Sequence, residues 1–319
     1  MSAQHYELNI QRYQNMSLCI LRQGPWEAVI NLTRGANCIA LRHHGLGARI
    51  LREPSYGEGE HPFLYGMPIL FPVNRISGGR FVFEGREYRF PVNEPDTGCH
   101  LHGDLHAAPF EAIGGDGHQV ICRYRADETH PYGAFPHAFE VRITYCLEED
   151  GLAQITEVIN HSETAMPCML GFHTTFRIPF IDGGSVTVRA DVGEEFSRGT
   201  DYLPTGETPP PDSAVREICN GSWDPLSAPL SRHLRAGESG IAELTDHLHG
   251  VRLLYENDAA WGFRLIYNGD ASGFLCFEPQ NCLVDAPNNV FGRARSGFVT
   301  IPPGEARLYR SRLRLVELP

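Results

Sequence analysis

The chain has 319 residues, 42% of them apolar and 21% charged, which is enough hydrophobic material for a sizeable core and argues against a disordered chain. With 39 acidic against 27 basic residues the formal net charge is −12, which argues against a nucleic-acid partner and gives no general help to anionic ligands. Nine cysteines, at 19, 38, 99, 122, 146, 168, 219, 276 and 282, are odd in number and lack CxxC spacing, so neither a disulfide framework nor a cysteine zinc site is expected.

The opening "MSAQHYELNIQRYQ" is polar and has no apolar core of a signal peptide. The longest apolar stretch, "PFLYGMPILFPV", is interrupted by Gly and Pro and falls short of the roughly 18 residues of a membrane span. A cytoplasmic protein with no membrane partner is therefore expected.

Gly and Pro, 33 and 23 in number, are spread along the chain and separate short segments of two-residue period, the pattern of half-buried strands. In chain order, "RFVFEGREYRF" reads as a hairpin, Phe81 and Phe83 answered by Tyr88 and Phe90 across a turn near Gly85. "CHLHGDLH" follows; His100 and His102, two residues apart, would share a strand face, a metal-like spacing that still lacks a third ligand. "FEVRITYCL" sets Phe139, Val141, Ile143, Tyr145 and Leu147 on one face. In "LGFHTTFRI" the apolar side is Leu170, Phe172, Thr174, Phe176 and Ile178, which leaves His173 between Thr175 and Gly171 on the polar side. That histidine faces either bulk water or a cavity. "SVTVRA" alternates again, and "YLPTGETPPPDSAV" reads as a surface excursion, not a domain boundary. "GIAELTDHLHG" is too short to claim as a helix. "GFLCFEPQ" puts Phe274, Cys276 and Glu278 on one face. A carboxylate ending an apolar strand is either a salt-bridged edge residue or an acid of raised pKa in a site. Near the C-terminus Tyr309, Ser311, Leu313 and Leu315 oppose Arg310, Arg312 and Arg314. Many short strands with frequent turns and no internal repeat predict one all-β domain over 1–319, an antiparallel sandwich or barrel.

Taken together these segments resemble the aldose 1-epimerase (galactose mutarotase) family in order and wording. The resemblance rests on "GMPILFPVNRI", the hairpin leading to "LHG" at 101–103, "YGAFPHAFEVRITYCL", "VINHSETAMPCMLGFHTTF", "LTDHLH", "FEPQ" and "PPGEARLY", and it covers roughly residues 30 to 316. The chain departs from the family at Asp104, where a second Gly is usual, and at Thr174 and Thr175, where Pro-Tyr is usual. These departures bear on sugar specificity more than on the reaction.

The resemblance implies a large antiparallel β-sandwich of the galactose mutarotase type and interconversion of the α and β forms of a free aldose. It places the general base at Glu278 and the general acid at His173, with His102 beside the ring oxygen. Arg75, Asn74 and Asp246 would hold the sugar, with Asp258 or Asp201 as alternatives to Asp246. No cofactor and no metal is implied; the partner is a small-molecule sugar, and the chain is a monomer or homodimer. A hexose-6-phosphate 1-epimerase is a rival, although "HGDLHAAPF" carries no arginine after the His-Gly pair and Arg177 would have to serve the phosphate. A non-catalytic carbohydrate-binding protein and a metal-dependent isomerase using His100, His102 and His106 are the others.

Overall fold

The computed structural model describes residues 8–13, 15–57 and 60–318; positions 1–7 and 14 of the polar N-terminal stretch lie outside them. Of the molecule 48% is strand and 6% helix, an all-β protein of antiparallel sheets. The periodic segments became strands because one set of alternate side chains could be buried against a second layer. Phe139, Val141, Ile143, Tyr145 and Leu147 are each at most 1% exposed. The hairpin forms as read, Phe81 opposite Tyr88 with rings stacked at 4.4 Å. Its two-residue turn has Glu84 and Gly85 both at positive φ, the mirror-image turn that suits the twist of paired strands.

Two large sheets make the sandwich. In the eight-stranded one, Gln119–Ala126, Phe139–Glu148, Gly151–Asn160, Ala306–Glu317, Val251–Asn257 and Ile241–Asp246 run side by side between edge strands Glu111–Gly115 and Val186–Ala190. The other carries Val192–Glu195, Ser231–Ala236, Phe263–Tyr267, Phe274–Gln280, Gly171–Phe172 and Ile69–Leu70, with Thr175–Arg177 also paired to Phe274–Gln280. They meet through Tyr255, whose ring packs on Phe176 and Phe277 and whose hydroxyl bonds Thr174 Oγ1 at 2.9 Å. The opposite face of the second sheet is left for other work.

Three local readings change. "GIAELTDHLHG" is the strand Ile241–Asp246 and a turn. The proline-rich stretch ends in a helix, Ser213–Asn220, because Asp212 accepts from Val215 N at its start and Gly221 closes it at φ 86. Residues 170–178 do not form one half-exposed strand. The chain pairs over Gly171–Phe172 and Thr175–Arg177, and the segment before it covers the polar side, with His173 N donating to Pro68 O and Thr175 N to Gly66 O. His173 is 6% exposed, so it does not face bulk water. All nine cysteines are free, and no helix among the described residues is long and apolar enough to cross a membrane.

Gly103 shows why its position tolerates no side chain. At φ +63, a Cβ there would lie 1.9 Å from Phe71 O. Backbone strain of about 1 kcal/mol adds to overpacking of about 1–3 kcal/mol, so Gly103→Ala is expected to lower unfolding free energy by at least about 2 kcal/mol, read by urea titration.

Candidate active site

Along Phe274–Gln280 every residue is buried, and Glu278 is 1% exposed. Leu275 and Phe277 point at the eight-stranded sheet, which leaves Phe274, Cys276, Glu278 and Gln280 on the outer face. Burial disfavours the charged carboxylate and pushes Glu278 up to about 8. A hydrogen bond from Gln280 Nε2 to Glu278 Oε2, 3.0 Å, and the fields of Arg198 and Arg75 pull the other way. Of the two readings that the sequence left open, Glu278 is thus the buried acid and not an edge residue.

His173 Nε2 lies 3.2 Å from Glu278 Oε1. The same burial pushes the imidazole down, to about 3. Carboxyl up and imidazole down mean that near neutral pH the pair shares one proton, and the titration belongs to the pair. His102 completes a small aromatic enclosure. The Phe63 ring lies 4.6 Å from His102, 4.5 Å from His106 and 6.0 Å from His173, and His102 meets His173 edge-on at 5.6 Å. Burial holds His102 far below the ordinary imidazole range, so it is neutral. His102 Nδ1 and His173 Nδ1 are buried without a partner in the protein. Such atoms are costly unless a ligand completes them.

Arg75 stands beside this pair, its fork matched to Glu94 by Nε–Oε2 2.6 Å and Nη2–Oε1 2.7 Å. That leaves its remaining N–H groups for a ligand. Its guanidinium lies 4.4 Å from the centre of the Tyr202 ring. Arg198 approaches the same ring at 5.9 Å.

Six predicted residues separate into those brought together and those not. His173 touches Glu278 and His102, and the field of Arg75 reaches Glu278 and His102. Asn74 sits behind this group: at φ 60 and 1% exposed, its Nδ2 donates to Gln280 Oε1 and its Oδ1 accepts from Arg75 N. Asn74 thereby steadies the Gln280 that holds Glu278, and its own side-chain amide is engaged within the protein. Asp246 is a correction. It is fully buried in the eight-stranded sheet, opposite Val186 and Val251, and both oxygens are spent on Ser185 N, Leu248 N, His249 N and His249 Nδ1. It holds a turn.

The alternatives fare no better, since Asp258 accepts from Ala260 N and Arg310 N and Asp201 from Leu203 N. Arg177 is ion-paired with Asp182. His100 and His102 do not share a face: the strand ends at Leu101, His102 turns to φ 64, and His100 Nδ1 goes to Pro91 O. Among the described residues no group of three or more His, Cys, Asp or Glu could hold a metal.

Sequence reading missed Phe63, Arg198, Tyr202 and Gln280. Gln280 follows Glu278 at the same two-residue spacing and was within reach. Arg198 and Tyr202 occupy an irregular loop with no period to betray them.

A family model described as Aldose 1-epimerase matches residues 25–314. A solved galactose mutarotase-like protein from Clostridium acetobutylicum superposes with a TM-score of 0.92 at 26% identity, covering 98% of this chain and 99% of that one. The uncharacterized protein YphB of Escherichia coli K12 is 22% identical over 78% of this chain and 82% of its own length. Rat galactose mutarotase is 27% identical over 58% of this chain, and the match spans 50% of the rat protein.

Proposed function

The chain belongs to the aldose 1-epimerase family, and on that premise we propose that it interconverts the α and β anomers of an aldose by acid–base opening and closing of the ring. One observation carries this reading: a buried carboxyl and a buried imidazole 3.2 Å apart, with His173 Nδ1 and the neighbouring His102 Nδ1 buried and unpartnered. Groups that touch each other can address two oxygens bonded to one carbon. The anomeric hydroxyl and the ring oxygen are such a pair.

Glu278, once ionised, takes the proton of the anomeric hydroxyl while the His173 imidazolium gives one to the ring oxygen. The ring opens, the C1–C2 bond turns, and closure on the other face reverses both transfers. The single proton of the pair moves between partners and is never lost. His102, neutral, can hydrogen-bond the ring oxygen without competing for the proton. Arg75 fixes the sugar so that transfer is nearly intramolecular. A binder without turnover would have no need of an acid and a base held in contact, which favours an isomerase.

Three results are expected. Polarimetry of fresh α-anomers in EDTA shows no loss of rate, because neither transfer needs a Lewis acid. Arg75→Ala raises KM about tenfold or more, the worth of a charge-assisted hydrogen bond, and changes kcat less. The third concerns pH. Activity needs one proton on the pair, so kcat/KM falls as pH rises past about 8, and Glu278→Gln abolishes that limb. Stability moves in the same sense: a carboxyl whose pKa is raised on folding contributes below its ordinary range and loses that contribution as pH climbs through about 8.

A further inference from the structure

Proton transfer needs imidazoles that are aimed, and two of them lack the usual means. A catalytic imidazole is ordinarily oriented by a hydrogen bond on the nitrogen that does not react. His173 places Nε2 on Glu278, and among the described residues no other residue bonds its Nδ1. His102 Nδ1 is likewise buried and unpartnered. His106, by contrast, is fixed by Nδ1 donating to Gly103 O at 3.1 Å.

Packing takes the place of the missing bonds. The Phe63 ring, 8% exposed, lies among all three imidazoles, tilted at 57° to His102 and to His106 and at 30° to His173. His102 and His173 in turn meet at 86°. At these centroid separations, 4.5 to 6.0 Å, aromatic rings favour particular mutual angles. A flat ring at position 63 therefore limits how far either unbonded imidazole can turn, and His106 gives that ring a fixed neighbour.

Phe63 is itself tied down through the backbone. Its carbonyl accepts from Thr175 Oγ1 at 3.1 Å, and the next carbonyl, Leu64 O, accepts from Arg52 Nη1 at 3.1 Å. Gly66 N donates to Arg52 O and Thr175 N to Gly66 O, both at 2.9 Å. Thr175 follows His173 by two residues, so the segment carrying the acid also carries the bond that seats Phe63 against it.

We propose that Phe63 is a positioning residue, holding the His173 and His102 imidazoles at the angles that proton transfer requires, with Thr175 as its latch. Reacting groups must be held within about 0.5 Å and 10–20°, and a misplacement of about 1 Å can cost about a hundredfold. Leucine at position 63 would refill most of the volume but present no flat face to the imidazoles. This inference rests on Glu278 and His173 being the acid–base pair of mutarotation.

The test is steady-state anomerisation of α-glucose, α-galactose and α-xylose by the whole chain, with thermal melts alongside. Phe63→Leu should lower kcat about tenfold to a hundredfold and leave KM within a few-fold, since Arg75 and Glu94 are untouched. Phe63→Tyr, which restores the ring, should recover most of that loss. Phe83→Leu is the control: Phe83 is equally buried, at 8%, and packs on Phe298 at 5.6 Å. It should lower the melting temperature and leave kcat intact. Thr175→Val, which keeps the shape and loses the hydroxyl, should lower kcat several-fold at unchanged KM, and Thr175→Ser should restore it. That pair serves if the Phe63 variants do not fold. Parental kcat in Phe63→Leu, or in Thr175→Val, would overturn the proposal. So would a raised KM with kcat intact, a Tyr variant no faster than the Leu variant, or a loss that Phe83→Leu matches. Each of these leaves the mutarotase reading standing. No turnover of any sugar by the folded parent would defeat that reading, and the positioning role with it.

Discussion

Changing Glu278 to Gln is expected to lower kcat at least a hundredfold while KM stays within a few-fold. The side chain keeps its size, and its carbonyl can still accept from Gln280 Nε2, now 3.0 Å from Glu278 Oε2. Its amide can face His173 Nε2, so the buried contact survives and the fold has little reason to change. What disappears is the ability to take and return a proton. General acid–base catalysis is commonly worth about two to four orders of magnitude, and a group that acts only in the transition state lowers kcat without loosening the ground-state complex. Arg75, still braced by Glu94, keeps its hold on the sugar. Stopped-flow polarimetry with a parallel thermal melt separates this outcome from unfolding. Parental turnover in Glu278→Gln would remove the base from the scheme.

His173→Asn is the second large effect, again about a hundredfold or more in kcat. Asn restores a neutral polar group within reach of Glu278 but has no proton to give to a ring oxygen. It also leaves Phe63 and His102 without the ring they pack on at 6.0 and 5.6 Å, so some loss of stability accompanies it. The decisive readout is therefore the pH profile. In the parent the single proton is shared; in the variant Glu278 titrates without its imidazole partner, and the alkaline limb of kcat/KM moves. A variant that merely loosened packing would lower the melting temperature and leave the limb where it was. An unshifted limb with full kcat would show that His173 takes no part in proton transfer.

The strands were legible because their physics is local. Alternation in "FEVRITYCL" and "RFVFEGREYRF" needs only neighbouring residues, and both segments form as read. Burial of the outward-facing side of "LGFHTTFRI" was not legible. It depends on residues about a hundred positions later, Phe274–Gln280, and on the loop carrying Phe63, which the chain brings together only when the sheet is complete. The helix at Ser213–Asn220 was hidden by the prolines before it, although Asp212 three residues ahead of Val215 is a capping signal. Asp246 illustrates the opposite hazard. A short acidic segment matched in wording, but the carboxylate serves the turn it begins.

The central claim is that this chain opens and closes an aldose ring with Glu278 and His173. Polarimetry of freshly dissolved α-anomers of hexoses, pentoses and their phosphorylated or carboxylated forms tests it most directly. The account predicts that for at least one sugar the approach to equilibrium quickens in proportion to protein concentration, and that the acceleration is lost in Glu278→Gln. Relaxation at the rate of buffer alone for every sugar, with the protein folded, would contradict it.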